Sequence, residues 1–217
     1  MTRKEQAQAS RAGLVEAARQ CFTEYGYEAT TVAEVLQRAG MARGALYHYF
    51  PGGKRELFEA VFDLMNDGYH DQRDALIAID SPLDRIHAGF RLFLELCTEP
   101  DFARIMLVDA PQIVPGQSER GSTYELLRGQ LIEAAEIGET HAFDADMMAS
   151  ALYGAARSVG EVVMTARSRK RAVDEALRSL AVLLDGLRSE SRVGTSVGAA
   201  SIARDATSRR RASRQTA

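Results

Sequence analysis

Between residues 30 and 54 the chain reads TTVAEVLQRAGMARGALYHYFPGGK, and its polar side chains fall into a pattern with a definite chemistry. Arg43 can form a bidentate hydrogen-bond pair with guanine O6 and N7, while Gly44 beside it lets the backbone come close to base edges. Tyr47 and His48 suit phosphate oxygens. Lys54 opens the next helix, where an ammonium and a helix N-terminus together attract a backbone phosphate. Thr31 can do the same with its hydroxyl and neighbouring amides.

Two short helices must position these groups. Thr31 is a good N-cap and Glu34 completes a capping box, so the spacing predicts a helix from Val32 whose inward face is Val32, Val35, Leu36 and Ala39. Gly40 supplies the left-handed stop, and Met41 plugs the space between this helix and the next. The second helix is expected from about Ala42 to Tyr49. Leu46 and Phe50, four apart, point inward and leave Arg43, Gly44, Tyr47 and His48 on the outer side. The competing reading makes Tyr47, His48, Tyr49 and Phe50 an aromatic patch that holds three helices together. It is adopted for Leu46 and Phe50; for Tyr47 and His48 the phosphate role is favoured, because a short helix cannot bury every side. Helix, glycine turn and short helix make a helix-turn-helix.

Residues 14–54, LVEAARQCFTEYGYEATTVAEVLQRAGMARGALYHYFPGGK, resemble the N-terminal DNA-binding domain of the tetracycline-repressor (TetR-type) family of bacterial transcriptional regulators. The resemblance implies DNA contacts at Thr31, at Ala42, Arg43 and Gly44, at Tyr47, His48 and Tyr49, and at Lys54. Position 42, often Ser or Thr in such proteins, is Ala here, which removes an N-cap and a phosphate contact. The Pro51-Gly52-Gly53 connection is one residue longer than the commonest form. The implied fold is all-α, with about nine helices: a three-helix DNA-binding domain, then a larger helical domain for ligand binding and dimerisation.

Charge is distributed in keeping with this. The formal net charge is −3, yet residues 1–55 hold eight Lys/Arg against five Asp/Glu, residues 56–188 hold 13 against 23, and residues 189–217 hold six against two. Only the N-terminal unit and the tail have the right sign for nucleic acid. The 46% hydrophobic content suits a soluble core, no apolar run is long enough to span a bilayer, and MTRKEQAQASR lacks the apolar segment of a secretory signal, so a cytoplasmic location with no membrane partner is expected. Cys21 and Cys97 form no metal or redox spacing and read as small core residues.

Helix one is expected over about Ala7 to Tyr25, with Leu14, Ala17, Ala18, Cys21 and Phe22 on one face and Gly26 as its stop. An amphipathic stretch from Arg55 to about Ile79 can join two domains. Ser81-Pro82 with Asp84 announces a helix to about Cys97. A short helix over Phe102 to Asp109 precedes a loop with Pro111, Pro115 and Gly116, and a further helix from about Glu119 carries Tyr124, Leu127, Leu131 and Ala135 to Gly138. Two last helices, Asp144 to about Arg167 and Arg171 to Leu187, present the faces Met148, Leu152, Ala155, Val159, Val162, Val163 and Val173, Leu177, Leu180, Leu184, Leu187. Gly154 and Gly160, each about 1 kcal/mol unfavourable relative to Ala in a helix, suggest close approach of another helix. Paired with a second copy these faces would build a four-helix bundle; alternatively they complete the monomer's core. The dimer is favoured because two recognition helices about 34 Å apart address a palindromic operator in double-stranded DNA.

The domains expected are therefore 1–53 for DNA binding, 54–188 for effector binding and dimerisation, and 189–217 as a disordered basic tail in which Arg209, Arg210 and Arg211 are mostly solvated. In the resembling family the C-terminal helices enclose an effector, whose binding spreads the DNA-binding domains through the fourth helix. The candidate lining here is Phe62, Met65, Tyr69, Phe90, Phe93, Met106, Tyr124, Met148 and Tyr153. That mixture would suit an apolar or aromatic small molecule with one or two hydrogen-bonding groups. Asp84 and His87 form a helical carboxylate–histidine pair, too little for a metal site, and no phosphate-loop or metalloprotease motif occurs. No enzyme, metal or cofactor is expected. The rival from another class is a helical adaptor that binds proteins through the Val159 and Leu180 faces.

Overall fold

The computed structural model describes residues 2–114 and 122–189. Helix α1 (Arg3–Ala29) starts earlier than the apolar pattern implied, because Thr2 and Glu5 form a capping box that the polar first turns alone could not reveal. It breaks at Gly26, whose φ of 78° is the left-handed conformation that a side chain resists. Helix α2 (Val32–Ala39) begins at Thr31 with both halves of its capping box made and ends at Gly40, φ 66°. Helix α3 (Arg43–Tyr49) follows. Ala42 is its N-cap and supplies no side-chain bond, as a methyl group must fail to do. Helix α4 (Lys54–Asp74) runs on into a 3-10 turn at Ala75–Ala78.

After α5 (Pro82–Leu96), which Ser81 caps through the Asp84 amide, the chain forms a π-helical segment, Phe102–Asp109. The loop expected around Pro111 is instead a short helix, α6 (Ala110–Ile113), with the proline in its first turn, where its missing N–H costs nothing. Helices α7 (Ser122–Glu136), α8 (Ala145–Thr165) and α9 (Arg169–Asp185) complete the described residues. The expectations for Pro115, Gly116 and the Glu119 helix start lie outside the described residues, as does the tail from 190 onward.

Two apolar cores result. The first joins Leu14, Phe22, Leu46, Phe50 and Phe58 of α1, α3 and α4, and also takes in Ile105, Ala110 and Val114. The second is built by α5, α7, α8 and α9 around Leu94, Leu131, Leu152, Leu177 and Leu180. Cys21 and Cys97 are both fully buried, and burial pushes the Cys97 thiol up to about 12. On α7 Ala134 is buried and Ala135 exposed.

The faces of the last two helices need correction. Val173, Leu177, Leu180 and Leu184 are buried within this subunit, as are Leu152 and Val163 of α8, so they cannot also be a docking face. Gly160 is explained inside the chain, since a Cβ there would lie 2.9 Å from the Phe93 ring. Gly154 faces open space. The large apolar residues left outside are Met147 (71% exposed) and Val162 (63%) on α8 and Val182 (70%) and Leu183 (48%) on α9. With Leu180 enclosed and Val159 half-buried, the adaptor reading loses the surface it required. Asp84 is likewise taken: its carboxylate accepts from Arg188 at 2.8 Å, and Arg188 also binds Glu139 and Asp185.

Candidate nucleic-acid interface and cavity

Helix α3 is anchored from below and open above. Leu46 (0% exposed) and Phe50 (1%) sink into the first core, and Arg11 lies over the Phe50 ring at 5.0 Å. This orientation leaves Ala42, Arg43, Gly44, Tyr47 and His48 exposed on one side. No neighbouring atom approaches within 4 Å of where a Cβ on Gly44 would stand, so the surface at that point is bare backbone. Tyr49 differs from its neighbours: it is half-buried against the core, with the His48 ring edge-on at 4.8 Å. Of the aromatic run, then, Tyr47 and His48 face outward while Tyr49 and Phe50 hold the helix down.

Thr31 lies exposed at the start of α2, but its hydroxyl is already engaged, accepting from the Glu34 amide and donating to the Glu34 carboxylate at 2.8 Å. The Thr31 backbone amide donates to the same carboxylate and holds the Glu34 carboxyl below its usual range. What Thr31 presents outward is a capped helix N-terminus more than a free hydroxyl.

Lys54 is placed otherwise than its sequence position suggested. Its Nζ donates to the carbonyls of Tyr27 (2.9 Å) and Thr30 (3.1 Å), with Glu28 O at 3.4 Å, and sits 4.3 Å from the Tyr27 ring centroid. Those carbonyls end α1, so the ammonium is the C-terminal cap that binds α1 to the first turn of α4. Its donors point into the protein.

Behind this unit lies a cavity of about 520 Å³. Of the residues expected to line it, Phe62, Tyr69, Phe90, Phe93, Met106, Tyr124 and Tyr153 do so. Met65 and Met148 do not; the first packs against the N-terminal core and the second against the C-terminal one. The polar lining was not anticipated: Asp63, His70, Arg73, Arg85, Gln130 and Arg157 all reach the wall. Arginines on amphipathic helices read as solvated faces, and only the packing of α4, α5, α7 and α8 turns these inward. Burial raises the Tyr69 phenol, opposed by a hydrogen bond with Thr123.

One element touches both places. The π-helical segment lends Phe102, Met106 and Leu107 to the cavity wall while Ile105 enters the N-terminal core. At its end Asp109, 7% exposed, accepts from the Tyr27 amide at 2.9 Å and pairs with Arg104 at 3.3 Å. The Tyr27 amide follows the break at Gly26, and the Arg104 guanidinium lies where a side chain on Gly26 would stand. Asp101 makes a further ion pair with Arg19 of α1.

Residues 14–61 match the family model described as bacterial regulatory proteins, tetR family, and residues 83–187 match the tetracyclin repressor-like C-terminal domain. The chain belongs to the TetR family. This TetR-family chain is 33% identical over 96 residues to the transcriptional regulator TtgR of Pseudomonas putida, covering 44% of this chain and 45% of that protein. It is 46% identical over 52 residues to the transcriptional repressor AcnR of Corynebacterium efficiens, covering 24% and 27%. These matches span less than half the length of either curated relative. A TetR-family regulator from Pectobacterium atrosepticum superposes with TM-score 0.72 at 26% identity, over 88% of this chain and all of that one. The fatty acid degradation regulator FadR of Bacillus halodurans shares the fold, with TM-score 0.69 at 18% identity, over 83% and 97%. Among the described residues of the TetR-family chain, no helix is long and apolar enough to cross a membrane, and no cluster of three or more His, Cys, Asp or Glu could hold a metal.

Proposed function

We propose that the chain is a ligand-responsive, sequence-specific DNA-binding regulator of the cytoplasm, a repressor that leaves its operator when a small organic molecule fills the cavity. The observation that carries this reading is the orientation of α3: Leu46 and Phe50 lock it from beneath, so Arg43 and Gly44 stand outermost at its N-terminus. In that pose Arg43 reads guanine in the major groove, and Tyr47 and His48 take flanking phosphates. Thr31 caps α2, whose first turn, like that of α4, presents backbone amides at a helix N-terminus. Lys54 keeps α4 and α1 in register, and Tyr49 supports α3 from its inner edge. The similarity to the repressor AcnR, confined to 52 residues, favours repression.

A homodimer follows from the need to address two half-sites. The exposed Val162, Val182 and Leu183 supply its apolar face, and Gly154 stands open on the same helix as Val162. Effector binding couples to DNA through the segment 102–109, which is wall to the cavity and partner to α1. A ligand that prefers one placement of this segment by about 1–3 kcal/mol changes operator affinity roughly 5–150-fold. The test is anisotropy of a labelled operator duplex titrated with wild type and Arg43→Ala. Loss of specific but not of non-specific binding supports the reading; equal affinity of both proteins for every duplex defeats it.

A further inference from the structure

The cavity wall is chemically lopsided. Its apolar part is aromatic, with Phe62, Phe90, Phe93 and Phe102, while its charged part carries Asp63 and three guanidiniums, of which Arg73 pairs with Asp74 at 3.0 Å and Arg85 with Glu133. Arg85 is the informative member. Its side chain is 12% exposed and its Nη2 is held by Glu133, which does not line the cavity and so fixes the guanidinium from behind. Its Nε–H is buried without a hydrogen-bond partner among the described residues. A buried donor on a permanently charged group is costly to leave unmet, and native proteins pair nearly all such groups. Because the Arg85 side chain lines the cavity, an occupant that draws the guanidinium forward can satisfy this donor.

We propose that the occupant is an organic acid, an apolar or aromatic body bearing one carboxylate, whose oxygen accepts from Arg85 Nε–H. The proposal rests on the reading of this cavity as the effector site. A cavity of about 520 Å³ falls within the range of small-molecule sites. The four phenylalanines take up the apolar body by desolvation. A charge-assisted bond of the carboxylate to a guanidinium then repays the removal of the anion from water, and the buried Gln130 amide can donate to a second oxygen. A neutral alcohol of the same shape meets Arg85 with a weaker acceptor. An amine, protonated, brings a second cation to Arg85 and no acceptor for its donor.

The experiment is isothermal titration of the full chain with decanoate, 4-phenylbutyrate and naphthalene-2-acetate, each beside its matched primary alcohol and primary amine. The expected result is that at least one acid binds about tenfold or more tighter than both its analogues. Arg85→Gln should bring that preference down to within about threefold, the acid losing more affinity than its alcohol. Arg85→Gln/Glu133→Gln, which leaves no unpaired carboxylate behind, should repeat the loss and exclude misfolding as its source. An alcohol or amine that binds as tightly as its acid, binding by none of the acids, or an undiminished preference in the double variant would overturn the proposal. Operator release is read in parallel. A neutral or cationic ligand that releases operator ends the acid proposal but leaves the effector reading standing. An acid that binds with Arg85-dependent preference and leaves operator affinity unchanged does the reverse.

Discussion

Replacing Asp109 by alanine removes the one carboxylate that clasps the break in α1. The Tyr27 amide loses a charge-assisted acceptor 2.9 Å away, a change of about 1.5–3 kcal/mol for a hydrogen bond to a charged group. The Arg104 pair, whose guanidinium is 42% exposed, adds less than about 1 kcal/mol after solvent screening. Together the loss is about 2–3 kcal/mol, which for a chain of this size lowers the melting temperature by roughly 5–10 °C. Asp109→Asn keeps an acceptor oxygen and should lose about 1 kcal/mol. The functional consequence is sharper. Because the same segment carries Phe102 and Met106 into the cavity wall, a slack clasp should let ligand bind without moving α1. The ratio of operator affinities without and with effector, measured by anisotropy, should therefore fall toward one in Asp109→Ala. A variant that melts within about 1 °C of wild type, or that keeps the full ligand response, refutes this account of the coupling.

Four further outcomes are expected. Lys54→Met should lower the melting temperature and weaken all DNA binding, yet leave the salt slope of binding unchanged, because its donors engage the Tyr27 and Thr30 carbonyls; a slope reduced by about 0.9 would mean a phosphate contact instead. Val182→Glu with Val162→Glu should yield a monomer by sedimentation with the helical signal intact, whereas an unchanged dimer would move the interface elsewhere. The Glu34 carboxyl is held below its usual range by the Thr31 amide, so the stability it contributes is present above the ordinary carboxylate pKa and is lost as pH falls through the lowered value. The melting difference between wild type and Glu34→Gln should accordingly shrink on acidification below about pH 4. Finally, Cys21 and Cys97 should resist thiol reagents in the native protein and react only on unfolding, as both are buried and both thiols are raised by burial.

The N-terminal unit was legible because its signals are local. A capping box, a left-handed glycine and two apolar residues four apart each constrain a few neighbouring residues, and together they specify α2, the turn and α3. Lys54 was misjudged for the opposite reason. Its partners are carbonyls 24 and 27 residues away, exposed by a break at Gly26 whose acceptor geometry no spacing rule encodes. The α9 stripe from Val173 to Leu184 was recognised as apolar, but periodicity is silent on whether such a stripe faces its own subunit or a second one; packing assigns it inward. In the cavity the aromatic lining was visible as bulky apolar residues facing the core. Arg73, Arg85 and Arg157 were not, because a helical arginine looks the same whether it meets solvent or a void.

Selection of bound duplexes from a random pool, run with wild type and with Arg43→Ala, tests the central claim most directly. The account predicts that wild type enriches a palindrome whose half-sites lie about 10 bp, or a multiple of that, centre to centre, with a guanine that Arg43→Ala ceases to require. Recovery of no common sequence by wild type, or of the same sequence with the same guanine by the variant, would contradict it.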